Sequence, residues 1–548
     1  MRRVIVIATA ITLVASEAPI VEIRNGKVLG TVVNTFTKGE FYAFQGIPYA
    51  QPPVGRLRFQ APQPASDWEG IIDDSKKDNI CFQVKSDSDN ENEDCLYINV
   101  FTPTYSINNS SSRLPIVFYI YGGGFRAGSA GLGSIGPDHF IENDVIVVTH
   151  NYRIGPFGFL STGDIVLPGN AGLKDQSLAL KWTFDNIEFF GGDPNKITIM
   201  GESAGSASVG YQILSSKNKG LFRGAIAESG SPLNEWASIM NPLDYIFALL
   251  DAIDPEIQIS KDSESMLAYL QSIEARQIDQ ASTMTEIKLT LPVVEIEHEG
   301  AFITQGMYEA FEQGNYNKVP LILGVNSEEE IIMLQSTKAV KVQGRAYDAD
   351  LDILIPENFK TRNEVGRSVI AEDIKEIYME RDNNFGDFMN STIRYMSDNG
   401  FTRGVIRQGE LMSQYSDVYF YVFSYDGELG GWDLSEEGAE KVGHGEELKY
   451  LWVHRGTHST QDLSQFPDSD VVTLKRMVKM WTDFSKTLNP TPEISELLEN
   501  VTWPRVRYDN YQYLDIGEEL KAKTNPKTSY LKWSAIYDKY AKRPYVTF

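Results

Sequence analysis

The stretch Lys196 to Gly210, KITIMGESAGSASVG, constrains this chain more than any other. Ile197, Ile199 and Met200 read as a buried strand. Gly201-Glu202-Ser203-Ala204-Gly205 then fits G-x-S-x-G, a sharp strand-to-helix turn that lifts a serine hydroxyl clear of a sheet. The glycines follow from sterics, because side chains flanking such a turn would collide with the neighbouring strand and helix. Ala204 to Ser208 are all small, so the helix can lie close to the sheet. With 44 glycines in the chain, the bare pentapeptide arises by chance in roughly one case in four, and its context has to carry the assignment. That context is an apolar strand before it, a small-residue helix after it, and acidic residues and histidines downstream.

The rest of the chain supplies strands of the matching kind. Leu114 to Tyr121 (LPIVFYIY), Asp144 to Thr149, Gly224 to Ser229, Val319 to Val325 and Asp417 to Tyr425 are apolar runs, as expected for central strands buried on both faces. From Leu173 a helix carries Leu173, Leu180, Phe184 and Ile187 on one face and stops at Gly191-Gly192-Asp193-Pro194. Strand, helix, strand at this spacing is the βαβ unit of a doubly wound sheet, in which sites form outside the carboxyl ends of the strands. Phe44 to Pro53 reads as a Pro/Gly-punctuated loop. Residues 240–318 and 331–410 read as helical and irregular.

No linker, repeat or low-complexity block divides the 548 residues, which points to one large domain. Met1-Arg2-Arg3, the apolar run Val4 to Val14 and the small residues Ala15 and Ser16 have the form of a secretory signal over 1–16, with the mature domain over 17–548. No later run is long enough for a membrane span, so an extracellular destination without stable membrane insertion is expected. A net charge of -25 argues against nucleic-acid partners. Cys81 and Cys95, the two cysteines, suit a disulfide in an oxidising compartment, worth about 3 kcal/mol in the chain-entropy picture. No Cys/His cluster has metal-ligand spacing, and neither a metal nor a cofactor is expected. Asn108, Asn109, Asn390 and Asn500 stand in glycosylation sequons.

A serine hydroxyl is a poor nucleophile at neutral pH unless an imidazole takes its proton and a carboxylate orients that imidazole. After an elbow of this type the order along the chain is serine, acid, histidine. Of six histidines, His139, His150 and His298 come too early for the strand order, leaving His444, His454 and His458. His444 lies between two glycines in a loop after a strand; the other two read as exposed. For the acid, Glu328, Glu329 and Glu330 compete, and spacing does not choose among them; such a run is ordinarily a solvated helix start. Gly122-Gly123-Gly124 after the Leu114 strand leaves backbone N–H groups bare, as an oxyanion hole requires.

These segments resemble the type-B carboxylesterase/cholinesterase family of α/β-hydrolases, and insect secreted carboxylesterases in overall pattern. Phe190-Gly191-Gly192-Asp193-Pro194 through Gly205 is similar to the family's serine signature, and Glu93 to Val100 (EDCLYINV) to its second signature. Phe44 to Phe59, Pro168 to Gln176, Ser229 to Trp236, GVNSEEE, GHGEEL and Trp481 to Pro492 also look like the family. The likeness thins over 240–318 and 331–410. The resemblance implies an α/β-hydrolase fold, with a central mostly parallel sheet flanked by helices. It implies Ser203 as nucleophile, His444 as general base and acid, and Glu329 as the acid, although Glu330 stands where the family usually has glycine. It further implies an oxyanion hole of Gly123, Gly124 and Ala204, Trp236 in the substrate pocket, the Cys81–Cys95 bridge, and a small-molecule ester as substrate. Residues 82–94 lack the tryptophan with which cholinesterases hold quaternary ammonium. Glu202 stands where juvenile-hormone esterases usually have glutamine. The family's adhesion members have lost the serine that is present here.

Overall fold

The computed structural model describes residues 18–37, 39–73, 79–83, 89–105, 112–133, 135–285, 290–362, 366–455 and 462–548. The expected signal segment, Asn108, Asn109 and His458 lie outside these residues.

Among the described residues, eleven strands form one large sheet. In chain order they are β1 (Thr31–Asn34), β2 (Glu40–Pro48), β3 (Tyr97–Thr102), β4 (Leu114–Ile120), β5 (Ile146–His150) and β6 (Gly192–Glu202). There follow β7 (Gly224–Glu228), β8 (Leu321–Asn326), β9 (Val418–Phe423), β10 (Gln512–Ile516) and β11 (Leu520–Thr524). Across the sheet the order is β11-β10-β9-β8-β7-β6-β4-β5-β3-β2-β1. From β5 through β10 all neighbours are parallel, and antiparallel pairs close both edges. Every residue of β7, β8 and β9 is buried, as the apolar runs require for strands covered on both faces. A small second sheet joins Ile20–Ile23, Gly26–Leu29 and Ile71–Ile72.

Helices α1 (Ala171–Asn186) and α2 (Ala204–Leu214) pack on the large sheet, α3 (Ala275–Met284) belongs to a separate apolar cluster, and α4 (Asp468–Thr487) again packs on the large sheet. On α1, Asp175 forms a buried bidentate pair with Arg153 (Nη2–Oδ1 2.7 Å, Nε–Oδ2 2.8 Å), tying the helix to the loop after β5. Among the described residues no helix is long and apolar enough to cross a membrane.

Three expectations change. Phe44 to Pro48 is not loop but the end of β2, with a bulge between Phe44 and Ile47. Gly46 takes φ 69° there and donates its N–H to Asn99 Oδ1 at 3.0 Å, so the glycine read as a breaker is the bulge itself. The strand before Ser203 begins at Gly192 rather than near Ile197. Two further strands, β10 and β11, follow β9; β10 breaks its apolar residues with Gln512 and Asp515, β11 at the sheet's edge is exposed beyond Leu520, and neither has the long apolar run that marks the centre.

The loops after β4, β6, β8 and β9 converge at the carboxyl edge of the sheet, where α2 has to start almost on top of β4. A Cβ on Gly205 would lie 2.0 Å from the Ile120 carbonyl oxygen, and one on Gly201 would lie 2.5 Å from the Gly205 carbonyl. Neither neighbour is a flexible side chain. Gly205→Ala is therefore expected to destabilise the protein by about 3 kcal/mol or more, the upper range for overpacking a core. Denaturant unfolding of the two proteins measures this; an unchanged midpoint would show that α2 can move away at no cost.

Candidate active site

Ser203 joins β6 to α2 at φ 57°, ψ -123°, a conformation that L side chains rarely adopt and that costs about 1–3 kcal/mol. The surroundings hold it. Its N–H donates to the Glu228 carbonyl at 2.8 Å, and Gly230 packs so closely that a Cβ there would lie 2.2 Å from the Ser203 carbonyl oxygen. Gly122 comes close enough that its Cβ would stand 3.0 Å from the Ser203 Cβ, which brings the glycine turn after β4 against the elbow. Gly123 (φ 105°) and Gly124 (φ 62°) follow in left-handed conformations open to glycine.

His444 projects from a turn closed by Gly445 at φ 78°. Its backbone N–H donates to the Glu329 carbonyl at 2.9 Å, and its Nδ1 lies 2.7 Å from Glu329 Oε2. The other Glu329 oxygen accepts the Asn326 N–H at 2.8 Å, so both carboxylate oxygens are fixed. Asn326, the last residue of β8, also donates from Nδ2 to the Gly443 carbonyl at 2.6 Å and to Glu447 Oε2 at 2.5 Å. One asparagine thus ties the acid's strand to the histidine's loop.

This geometry separates the three adjacent glutamates. Glu329 turns to the imidazole. Glu328 points away, accepting from the Glu440 N–H at 3.2 Å, and Glu330 is half-buried with its N–H on Ser397 Oγ at 3.0 Å. The expectation of a solvated run fails for Glu328 and Glu329, which are buried because the chain turns inward into a 3-10 helix at Glu329–Ser336. Of the competing histidines, His150 ends β5 and is buried against Phe118, and burial pushes its pKa down to about 3. His454 is half-buried rather than exposed.

Sequence reasoning missed two neighbours of the imidazole. Glu202 Oε1 lies 3.0 Å from His444 Nε2, so the ring stands between two carboxylates. The Phe401 ring lies 4.3 Å from the imidazole, centre to centre, and 5.6 Å from Trp236, whose Nε1 donates to the Gly400 carbonyl at 2.5 Å. Phe401 sits in a π-helical turn, Asp398–Thr402, with no signature in the sequence; Glu202 was in view beside the serine, but its reach to the histidine was not.

Behind the ring lie more acids. Glu228 Oε1 accepts from Trp481 Nε1 of α4 at 2.8 Å, while Glu228 Oε2 and Glu447 Oε1 find no hydrogen-bond partner among the described residues. Burial raises Glu447 to about 8, reinforced by the charges of Glu202 and Glu329, and it pushes Glu228 well above the carboxylate range. Burial likewise raises Glu202. For His444 burial works against protonation, but Glu202, Glu329 and Glu447 outweigh it and raise the imidazole.

Cys81 and Cys95 are joined in a disulfide with Cα atoms 5.1 Å apart. Asn390 is half-buried, and Asn500 is exposed.

A sequence profile described as "Carboxylesterase family" matches residues 17–533. The chain is 34% identical to venom carboxylesterase-6 of Apis mellifera over 91% of its own length and 90% of that protein's. It is 30% identical to juvenile hormone esterase of Tribolium castaneum, over 91% and 88%. The crystal structure of juvenile hormone esterase from Manduca sexta, with OTFP covalently attached, superposes with a TM-score of 0.82 at 27% identity, covering 95% of this chain and all of that one.

The double carboxylate contact gives a test of the electrostatics. Glu202→Gln keeps the side chain's size but removes the anion beside Nε2. The imidazolium loses a stabilising charge, so its pKa falls by about one unit, equivalent to about 1.4 kcal/mol. The 15N shifts of the His444 ring, followed against pH, measure this; an unmoved midpoint would mean that Glu202 is itself neutral across the titration.

Proposed function

The chain belongs to the carboxylesterase family, and from that premise we propose that it is a secreted serine carboxylesterase working through an acyl-enzyme on Ser203. The observation that carries this reading is the fixed Glu329–His444 pair, 2.7 Å apart, at the strand edge where the elbow presents Ser203. With Nδ1–H donated to Glu329, Nε2 is the nitrogen that acts as base, and Glu202 Oε1, 3.0 Å away, stands beside it. Ser203 Oγ attacks the ester carbonyl carbon as its proton passes to His444. The C=O electron pair moves onto oxygen, where the N–H groups of Gly123, Gly124 and Ala204 receive it. Collapse breaks the bond to the alkoxy oxygen, and His444 returns the proton to the departing alcohol. Water then attacks the acyl-enzyme by the same route and frees the acid. Neither a metal nor a cofactor is needed for these steps.

The series Phe125, Trp236, Phe401 and His444, each ring within 6.3 Å of the next, supports an apolar wall beside the acyl carbon. An uncharged small-molecule ester suits such a wall. The two relatives named juvenile hormone esterase put an ester of that type among the substrates to be tried, although Glu202 replaces the glutamine usual in that group. Secretion is supported by the form of residues 1–16, by the disulfide and by the sequons at Asn108, Asn109, Asn390 and Asn500. Secreted protein is expected to begin near Glu17.

Hydrolysis of a chain-length series of p-nitrophenyl esters tests the reading, with Ser203→Ala alongside. Wild-type turnover is expected to peak at short acyl chains and to fall by at least about 10,000-fold in the variant. Folded wild-type protein without turnover would overturn the catalytic reading and favour a non-catalytic adhesion role.

A further inference from the structure

Within the disulfide loop, Gln83 reaches the far end of the glycine turn that follows β4. Its Oε1 accepts the Gly128 N–H at 3.0 Å, and its Nε2 donates to the Gly128 carbonyl at 3.4 Å and to the Cys81 carbonyl at 3.3 Å. The side-chain amide therefore grips both polar groups of one backbone residue, as a neighbouring strand would. Gly128 is where the turn folds back on itself: at φ 120°, a Cβ there would lie 2.4 Å from the Tyr121 ring and 2.8 Å from the Gly122 carbonyl. Inside the turn, Arg126 and Ala127 both donate their N–H groups to the Gly123 carbonyl, at 3.0 and 3.1 Å. Phe125 adds one further fixed point, its carbonyl accepting the Gly155 N–H at 2.7 Å.

A turn built on Gly122, Gly123, Gly124 and Gly128 has wide conformational freedom, so its two internal hydrogen bonds to the Gly123 carbonyl need support from outside to select one shape. Gln83 is equipped to supply that support because it is itself held. Its N–H lies 3.3 Å from Glu91 Oε1, and the second Glu91 oxygen pairs with Arg276 of α3. The Arg276 guanidinium also lies 4.8 Å from the centre of the Phe82 ring. Glu93, on the same loop, pairs with Arg58 at 2.6 Å, and Cys81–Cys95 closes the base.

We propose that Gln83 is a positioning residue for the oxyanion donors. By clamping Gly128 it keeps the turn in the shape that aims the Gly123 and Gly124 N–H groups at the ester oxygen as charge develops there. This rests on the reading of Ser203 as nucleophile and of Gly123, Gly124 and Ala204 as the oxyanion hole. Donors fixed beforehand stabilise a developing charge without reorganising, whereas a turn that wanders has to be ordered anew at each turnover. The cost of losing Gln83 therefore falls on the transition state more than on ester binding.

The test compares wild type, Gln83→Met, Gln83→Glu and Ser203→Ala on one p-nitrophenyl ester. Rates of wild type and the Gln83 variants are expressed per active site titrated to completion with a fluorophosphonate, and that of Ser203→Ala, which has no serine to titrate, per mole of protein. Binding of a trifluoromethyl ketone, whose adduct with serine carries an oxyanion, is measured in parallel. Methionine fills the space but has neither donor nor acceptor. In Gln83→Met, kcat per titrated site is expected to fall about 10- to 100-fold, less than the roughly 100- to 1,000-fold lost when an oxyanion donor is removed outright. KM should stay within about twofold, and ketone affinity should weaken in step with kcat/KM. Glutamate keeps the acceptor for the Gly128 N–H and should show a smaller loss of the same kind, a readout that stands even if the methionine variant does not fold. Unchanged kcat per titrated site in either variant overturns the proposal, as does a loss confined to the number of titratable sites. If Ser203→Ala is inactive and the Gln83 variants match wild type, only this inference fails. If Ser203→Ala turns over like wild type, the reading beneath it fails as well.

Discussion

Between the first turn of α2 and the end of β4 there is no room for one more carbon atom. The Ile120 carbonyl oxygen occupies the place where a Gly205 side chain would begin, and Gly201 is pressed against Gly205 in the same way. This backbone-to-backbone approach dictates much of what surrounds it. It forces Ser203 into its left-handed conformation, sets the glycine turn after β4 against the serine, and makes the register of β6 between β4 and β7 the reference for the whole edge. Hydrogen bonding and packing from β7 repay the strain, through the Glu228 carbonyl on the Ser203 N–H and the close fit of Gly230. The strained residue is thus over-determined by parallel strands on both sides.

Around this rigid edge the protein gathers a concentration of acid that an isolated peptide would not hold. Glu202, Glu329 and Glu447 act on a single imidazole, with Glu228 behind them within reach of the charges of Glu447 and Glu202, all four buried. Burial pushes the carboxyls of Glu228 and Glu447 up, while Glu329 has an N–H on one oxygen and the ring on the other. The imidazole's basicity is therefore a property of the group, divided chiefly between Glu329 at Nδ1 and Glu202 at Nε2. Replacing one acid shifts the proton balance of the others.

How far the sequence could be read differs by residue, for physical reasons. Buried central strands announce themselves as apolar runs, so β4, β5, β7, β8 and β9 were legible, and so was the elbow, because only small residues satisfy its sterics. The strands β10 and β11 were not, since β10 is short and broken by Gln512 and Asp515, and β11, at the edge, is exposed beyond Leu520 and has no apolar run to show. Gly46 looked like a breaker because a bulge inside a strand and a loop use glycine alike. Glu328, Glu329 and Glu330 were equivalent as a string and became distinct only where the chain turns inward after β8. Phe401 depends on a π-helical turn, a local mismatch of backbone pairing that leaves no mark in residue type.

By itself the sequence determined which residues could do chemistry and in what order they come: a serine on a steric elbow, a run of three acids after a buried strand, a histidine between glycines. It also determined the layered α/β architecture, since alternating buried strands and helices can close their apolar faces in few other ways. Tertiary structure alone decided which acid meets the histidine, that a second carboxylate faces the ring's other nitrogen, and that the disulfide loop lies against the glycine turn. The first two are contacts between segments about 100 to 250 residues apart. The Gln83–Gly128 contact spans a shorter stretch, but it too depends on where the sheet places the loop. Distances of 3 Å between such segments follow from strand register and crossover geometry, which no local pattern encodes.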